Sequence, residues 1–212
     1  MTTYGWGRTV PADCWHESSK IESLRVVRSW LKGEGPATHL PQRPTPQPVP
    51  IYVAAVTSRT VELAGELADG FMPFLWSAAR VEQSKAWLQR GRAKAKGLGK
   101  MHITVGIPTY IGDDVKQQRE VARGNLGVFT GFPFFQRLFR ASGFGPEADQ
   151  MEKGGGGAAL SDRLLDAVCL LGPLARCREQ LVAFRTAGTD LPILMPSVDV
   201  DGARALIKAF RR

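Results

Sequence analysis

The chain has 212 residues, 43% of them apolar, enough to bury one sizeable core and too few for two full-sized domains. No stretch approaches the roughly 20 apolar residues that a membrane helix needs, and the opening "MTTYGWGRTVPADCWHE" lacks the charged-then-apolar plan of a secretion signal, so one cytoplasmic domain is expected. The net charge of +8 suits an acidic partner, whether nucleic acid or a polyanionic cofactor tail, and its sign alone selects neither.

A first helix is predicted over 18–32. Ile21, Leu24, Val27 and Leu31 recur at helical spacing, Ser18 or Ser19 can cap the start, and Gly33 and Gly35 end it. The following "GPATHLPQRPTPQPVP" packs six prolines into sixteen residues, which forbids helix and predicts an extended surface connector. Then come a strand at 49–55, a helix at 58–68, a second apolar strand at 69–75, a helix at 77–96, a third strand at 101–112 and a helix opening at Asp113 and Asp114. The tail repeats the scheme, with "GPLARCREQLVAFRTAG" as helix, "DLPILMP" as strand and "VDGARALIKAF" as helix. Strands apolar on both faces that alternate with amphipathic helices predict an α/β fold with a parallel sheet covered by helices.

Residues 125–160 interrupt the alternation and read as an insertion. Its Phe129, Phe132, Phe134, Phe135, Phe139 and Phe144 need cover from the domain body, a partner chain or a ligand, so both a lid and an oligomer contact are open readings. The glycine run 154–157 is expected to be mobile, since consecutive glycines lose the most backbone entropy on ordering.

Three features bear on chemistry. Cys14, Cys169 and Cys177 form no CxxC pair, and the last two sit in apolar helix-like patterns, so buried free thiols are expected and no metal site. The basic stretch "QRGRAKAKGLGK" has no interleaved aromatics and reads as a solvated helix end, which argues against a nucleic-acid surface. In "AAVTSRT" the chain leaves a buried strand and enters a helix, so amides at Thr57, Ser58 and Arg59 have no intrahelical partner; they can hold an anion, or Thr57 or Ser58 can simply cap the helix. "YGWGR", with Gly5 and Gly7, is either a turn or a strand end that lets a ligand approach the backbone.

The segments "PVPIYVAAVTSRTVELAGELADGFMPF", "FPFFQRLFRASGFG", "LSDRLLDAVCLLGPLARCREQLVAFRTAGTDLPILMP" and "YGWGRTVP" together resemble, in order and spacing, the luciferase-like monooxygenase superfamily over nearly the whole chain. The Phe-rich segment followed by "SDRLLDAV" resembles the branch of oxidoreductases that use the deazaflavin coenzyme F420 more than the enzymes that use FMN. The resemblance implies a TIM (β/α)8 barrel represented in part, roughly strands 4–8 with their helices, so that 1–212 is one domain incomplete at its amino end. It implies hydride transfer between coenzyme F420, with FMN as the alternative, and a small organic substrate. It also implies that the cofactor phosphate sits at Ala55, Val56, Thr57, Ser58, Arg59 and Thr60, and that Gly5, Trp6 and Gly7 lie beside the ring system.

In the family the usual catalytic histidine or acid comes from the early strands, which have no counterpart here. His16, after "ADCW", is the candidate that could reach a pocket. His39 lies in the proline connector, and His102 begins its strand, far from the expected site. A competing reading is a part-barrel that binds a ligand or partner without catalysis, because an open sheet exposes edges that a closed barrel lacks. A homo-oligomer is expected; a membrane partner is not.

Overall fold

A computed structural model describes residues 17–34, 47–197 and 200–211. The chain divides into two units, 1–51 and 52–212. In the first, α1 (Glu17–Leu31) begins at Glu17, so Ser18 and Ser19 lie in its first turn instead of capping it. Gly33, with φ of +80°, ends the helix as its amide bonds the Trp30 carbonyl oxygen at 2.9 Å. Gly5, Trp6, Gly7, Cys14, His16 and most of the proline connector, His39 included, lie outside the described residues.

The second unit opens with β1 (Tyr52–Val53), α2 (Ser58–Leu67), β2 (Gly70–Phe71), α3 (Ala78–Arg92) and β3 (His102–Ile111). After α4 (Val115–Leu126) come a 3-10 turn (Gly127–Gly131), α5 (Pro133–Ala141), α6 (Gly145–Glu152) and a second 3-10 turn (Gly156–Ala159). The chain ends with α7 (Asp162–Val168), β4 (Leu170–Gly172), α8 (Leu174–Thr186), β5 (Leu191–Met195) and α9 (Val200–Phe210).

Every strand pairing is parallel: β1 with β2, β2 with the start of β3, β5 with its middle and β4 with its end. Alternate residues of a parallel strand bond opposite neighbours. The His102 and Gly106 amides thus bond the Asp69 and Pro73 carbonyl oxygens on the β2 side, while the Ile103 carbonyl accepts from the Asp190 amide on the β5 side. The path β1-β2-β3-β5 is a four-strand arc of the expected barrel, with β3 buried from Ile103 to Tyr110 because it is covered on both faces. The expected second strand is shorter than 69–75. After Phe71 the chain is held only by a bridge from Phe74 to Gly106, and Leu75, with φ of +56°, turns it away from the ladder. The fifth strand, β4, is a segment whose helical pattern hid it.

The helices pack on the sheet through Phe71, Trp76, Ile107, Leu164, Leu165 and Leu170, each less than 2% exposed. Phe71 and Trp76 meet edge to face with centroids 5.2 Å apart. Helices α2 and α3 touch backbone to backbone. A Cβ on Gly91 would lie 1.8 Å from the Glu62 carbonyl oxygen, and one on Gly65 would lie 2.5 Å from that of Leu88. This contact fixes where the amino terminus of α2 stands.

Of the phenylalanines in 125–160, Phe135, Phe139 and Phe144 are buried and Phe129 is half-buried in the core, while Phe132 and Phe134 stay exposed. The glycine run is a built turn. Gly154 and Gly156 have φ of +84° and +51°, and a Cβ on Gly157 would meet the Arg123 carbonyl oxygen at 2.7 Å. Small size and positive φ account for these glycines better than a need for motion.

Candidate anion-binding turn

The turn from β1 into α2 stands on an exposed shoulder. Ala55 is buried and Val56 half-buried, whereas Thr57, Ser58 and Arg59 are exposed and Thr60 half-buried. Thr57 is the N-cap, and the two threonines form a reciprocal capping box. The Thr60 amide donates to Thr57 Oγ1 at 3.2 Å, and the Thr57 amide donates to Thr60 Oγ1 at 3.1 Å. The expected outward amide of Thr57 is therefore engaged, and capping and anion binding divide the turn between them. The Ser58 amide and hydroxyl have no hydrogen-bond partner among the described residues, and the residue is exposed beside the exposed Arg59. The first turn of α2 carries no acid, so the partial positive charge of the helix terminus is not offset by a side chain of its own. The first acid, Glu62, pairs with Arg90 (3.1 Å) and Lys94 (2.6 Å), whose hydrogen bonds, Lys94 foremost, hold its carboxyl below the ordinary range.

Arg80 lies directly beneath the turn. Only 5% exposed, it donates from Nη2 to the Val56 carbonyl oxygen at 2.8 Å and from Nη1 to that of Ala141 at 2.7 Å. Its guanidinium carbon lies 5.0 Å and 5.4 Å from the ring centroids of Trp76 and Trp87. No carboxylate pairs with it among the described residues, its Nε has no partner, and burial lowers its pKa from the ordinary value. Sequence reading missed this residue. The available signal was Arg80 and Trp87, seven residues apart on one face of α3, with Trp76 just ahead of its N-cap.

Behind the sheet's end Phe74, Phe129 and Phe135 form an aromatic cluster, with centroids 5.2–6.0 Å apart. His102 is far from the turn in role: its Nδ1 meets the Tyr52 hydroxyl at 2.6 Å at the beginning of β3, a strand-to-strand tie. Buried Tyr110, pushed up to about 12 chiefly by burial, keeps its proton near neutrality. Cys169 and Cys177 are free buried thiols, both raised by burial, the latter to about 11. A groove of about 1090 Å³ beside α4 is lined by Arg119, Arg123 and Asp162 among others, but its arginines are already paired with Asp162 and Asp166. Among the described residues no cluster of three or more His, Cys, Asp or Glu converges, and no helix is long and apolar enough to cross a membrane.

Comparison with known proteins agrees with this architecture. The profile of the luciferase-like monooxygenase family matches residues 20–191. A Mycobacterium tuberculosis protein whose name assigns it to the coenzyme F420-dependent oxidoreductases is 23% identical over 207 residues, covering 85% of this chain and 58% of its own length. Among solved structures, the coenzyme F420 dependent tetrahydromethanopterin reductase from Methanopyrus kandleri superposes with a TM-score of 0.63 at 16% identity, over 88% of this chain and 60% of that one. An F420-dependent secondary alcohol dehydrogenase, solved with an F420-acetone adduct, superposes with a TM-score of 0.72 at 16% identity, over 96% of this chain and 64% of that one. The chain thus spans about six-tenths of the length of these relatives.

Proposed function

The chain belongs to the luciferase-like monooxygenase family, and from that premise we propose that it is an oxidoreductase that binds coenzyme F420 and transfers a hydride between it and a small organic substrate. The observation that carries the reading is the turn at 57–59, exposed at a helix terminus without an acid, with the Ser58 amide and hydroxyl unengaged among the described residues and a buried cation behind it. A phosphate fits this donor set. When bound, the deazaflavin supplies the two-electron chemistry. The protein's own part is to hold the phosphate through Ser58 and Arg59 over the Ala55–Val56 backbone, with Thr57 and Thr60 keeping the turn in shape. The aromatic cluster of Phe74, Phe129 and Phe135 keeps water from that end of the sheet. Gly5, Trp6 and Gly7 beside the ring, His16 as the proton-handling candidate and a cytoplasmic location belong to the same proposal. FMN, which also ends in a phosphate, is the alternative cofactor.

A second reading, a part-barrel that binds ligand or pairs with a copy of itself without catalysis, is favoured by one observation. On β5 alternate residues Leu191, Ile193 and Met195 are exposed, a row of apolar side chains at the end of the strand path.

The test is titration of the purified chain with coenzyme F420 and with FMN, read by fluorescence quenching and thermal shift. Micromolar binding of coenzyme F420 is expected. The double change Ser58→Asp with Arg59→Glu is expected to weaken it at least tenfold by repulsion. Binding without turnover supports the second reading, and binding of neither cofactor removes the proposal.

A further inference from the structure

Arg80 presents a physical problem that the packing does not solve. A cation with 5% exposure and no carboxylate partner among the described residues is costly to bury. Its partial compensation comes from two carbonyl oxygens and two indole faces. One carbonyl, that of Ala141, belongs to the last residue of α5, where the helix dipole contributes about half a negative charge. The other, that of Val56, belongs to the peptide that leads into the N-cap of α2. These contacts offer only partial negative charge, so the cation is incompletely offset, and it lies against the back of the turn.

We infer that Arg80 is the positioning residue of the anion turn, bracing the Val56 carbonyl and setting the turn's affinity for phosphate through its incompletely offset buried charge. The inference rests on the reading that residues 57–60 hold the cofactor phosphate. Three features support a role beyond packing. The guanidinium reaches two different elements at once, which its planar fork allows and an apolar side chain of equal volume does not. Trp76 and Trp87 fix its plane without neutralising it. The α2 terminus contributes partial positive charge of the same sign and no acid, so an anion seated at Ser58 is attracted by both sources, neither of them screened by bulk water on the protein side.

The experiment compares wild type, Arg80→Lys and Arg80→Gln, each titrated with coenzyme F420 and with its phosphate-free deazariboflavin chromophore. Arg80→Lys keeps the charge; Arg80→Gln keeps hydrogen-bond donors and loses it. With the buried charge removed, Arg80→Gln is expected to bind coenzyme F420 about tenfold more weakly, Arg80→Lys within about threefold of wild type, and all three to bind the chromophore alike. A merely structural role would lower affinity for both ligands in both variants, and that result overturns the inference. Arg80→Lys is the variant expected to fold, and its loss of the preference for the phosphorylated ligand is sufficient to overturn it alone. A wild type that binds both ligands with equal affinity shows that the turn holds no phosphate, and the inference fails with the reading beneath it. A wild type that prefers coenzyme F420 while Arg80→Gln keeps the full preference defeats the inference and leaves that reading standing.

Discussion

Gly91 offers the sharpest test of how the candidate site is held. The Cβ that Gly91→Ala adds would lie 1.8 Å from the Glu62 carbonyl oxygen, a backbone atom of α2 that cannot rotate away. Ordinary contact needs about 3.4 Å, so α2 and α3 must separate by roughly 1.5 Å, opening the interface that also brings Gly65 against Leu88. Overpacking of this kind costs about 1–3 kcal/mol, and more where only backbone can yield, against a helix-propensity gain of about 1 kcal/mol. A net loss of about 2 kcal/mol is expected, which for a chain of this size lowers the melting temperature by about 4–8 °C. Gly124→Ala is the matched control: it also lies within a helix, α4, but nothing stands within 4 Å of its added Cβ. It is expected to stabilise by about 0.5–1 kcal/mol. Urea and thermal denaturation of both variants give the comparison. Since Ser58 stands one helical turn before Glu62, Gly91→Ala is also expected to weaken cofactor binding while Gly124→Ala leaves it unchanged. Equal stability of the two variants would refute the reasoning.

Other outcomes follow from burial and charge. At pH 8 neither Cys169 nor Cys177 is expected to react with iodoacetamide in the native protein, because burial raises both thiols; mass spectrometry should find them labelled only in denaturant, and native labelling within minutes would contradict this. Burial pushes Glu147 upward, but hydrogen bonds from Ser161 (2.7 Å), its own backbone and Arg163 outweigh it, leaving the carboxyl below its ordinary 4.5. With a folded pKa below the unfolded one, its contribution is full above pH 4.5 and is lost as pH falls through and below that value. Glu147→Gln should therefore flatten the acid limb of a melting-temperature profile, and an unchanged limb would count against the assignment. If the apolar row on β5 joins two copies, size-exclusion chromatography should show a dimer that Ile193→Lys converts to monomer, with folding stability shifted by no more than about 0.5 kcal/mol. A wild-type monomer at high micromolar concentration would dismiss that contact.

Much of the fold was legible along the chain because its cues are local. The apolar runs at 101–112 and 191–195, the helix-forming pattern after Ser58 and the buried settings of Cys169 and Cys177 each depend on neighbours within a few residues, and each stands where periodicity put it. The N-cap at Thr57 is local too, and it shows why the anion reading had to be narrowed. Thr57 and Thr60 satisfy each other across one turn, so the unengaged amide and hydroxyl come down to those of Ser58.

What the sequence by itself determined is the order and kind of most of the strands and helices and the position of the strand-to-helix turn that leads into Ser58, because hydrophobic period and helix termini are properties of short segments. Tertiary structure alone decided that Leu170–Gly172 becomes a strand, that Phe135 and Phe139 are buried but not Phe132 and Phe134, and that Gly91 must be glycine. It also decided that Arg80 lies beneath Val56, 24 residues before it in the chain, and grips Ala141, 61 residues after it. Contacts of that range arise only when separate helices are packed on one sheet, and no pattern of neighbours encodes which carbonyl a buried cation will meet.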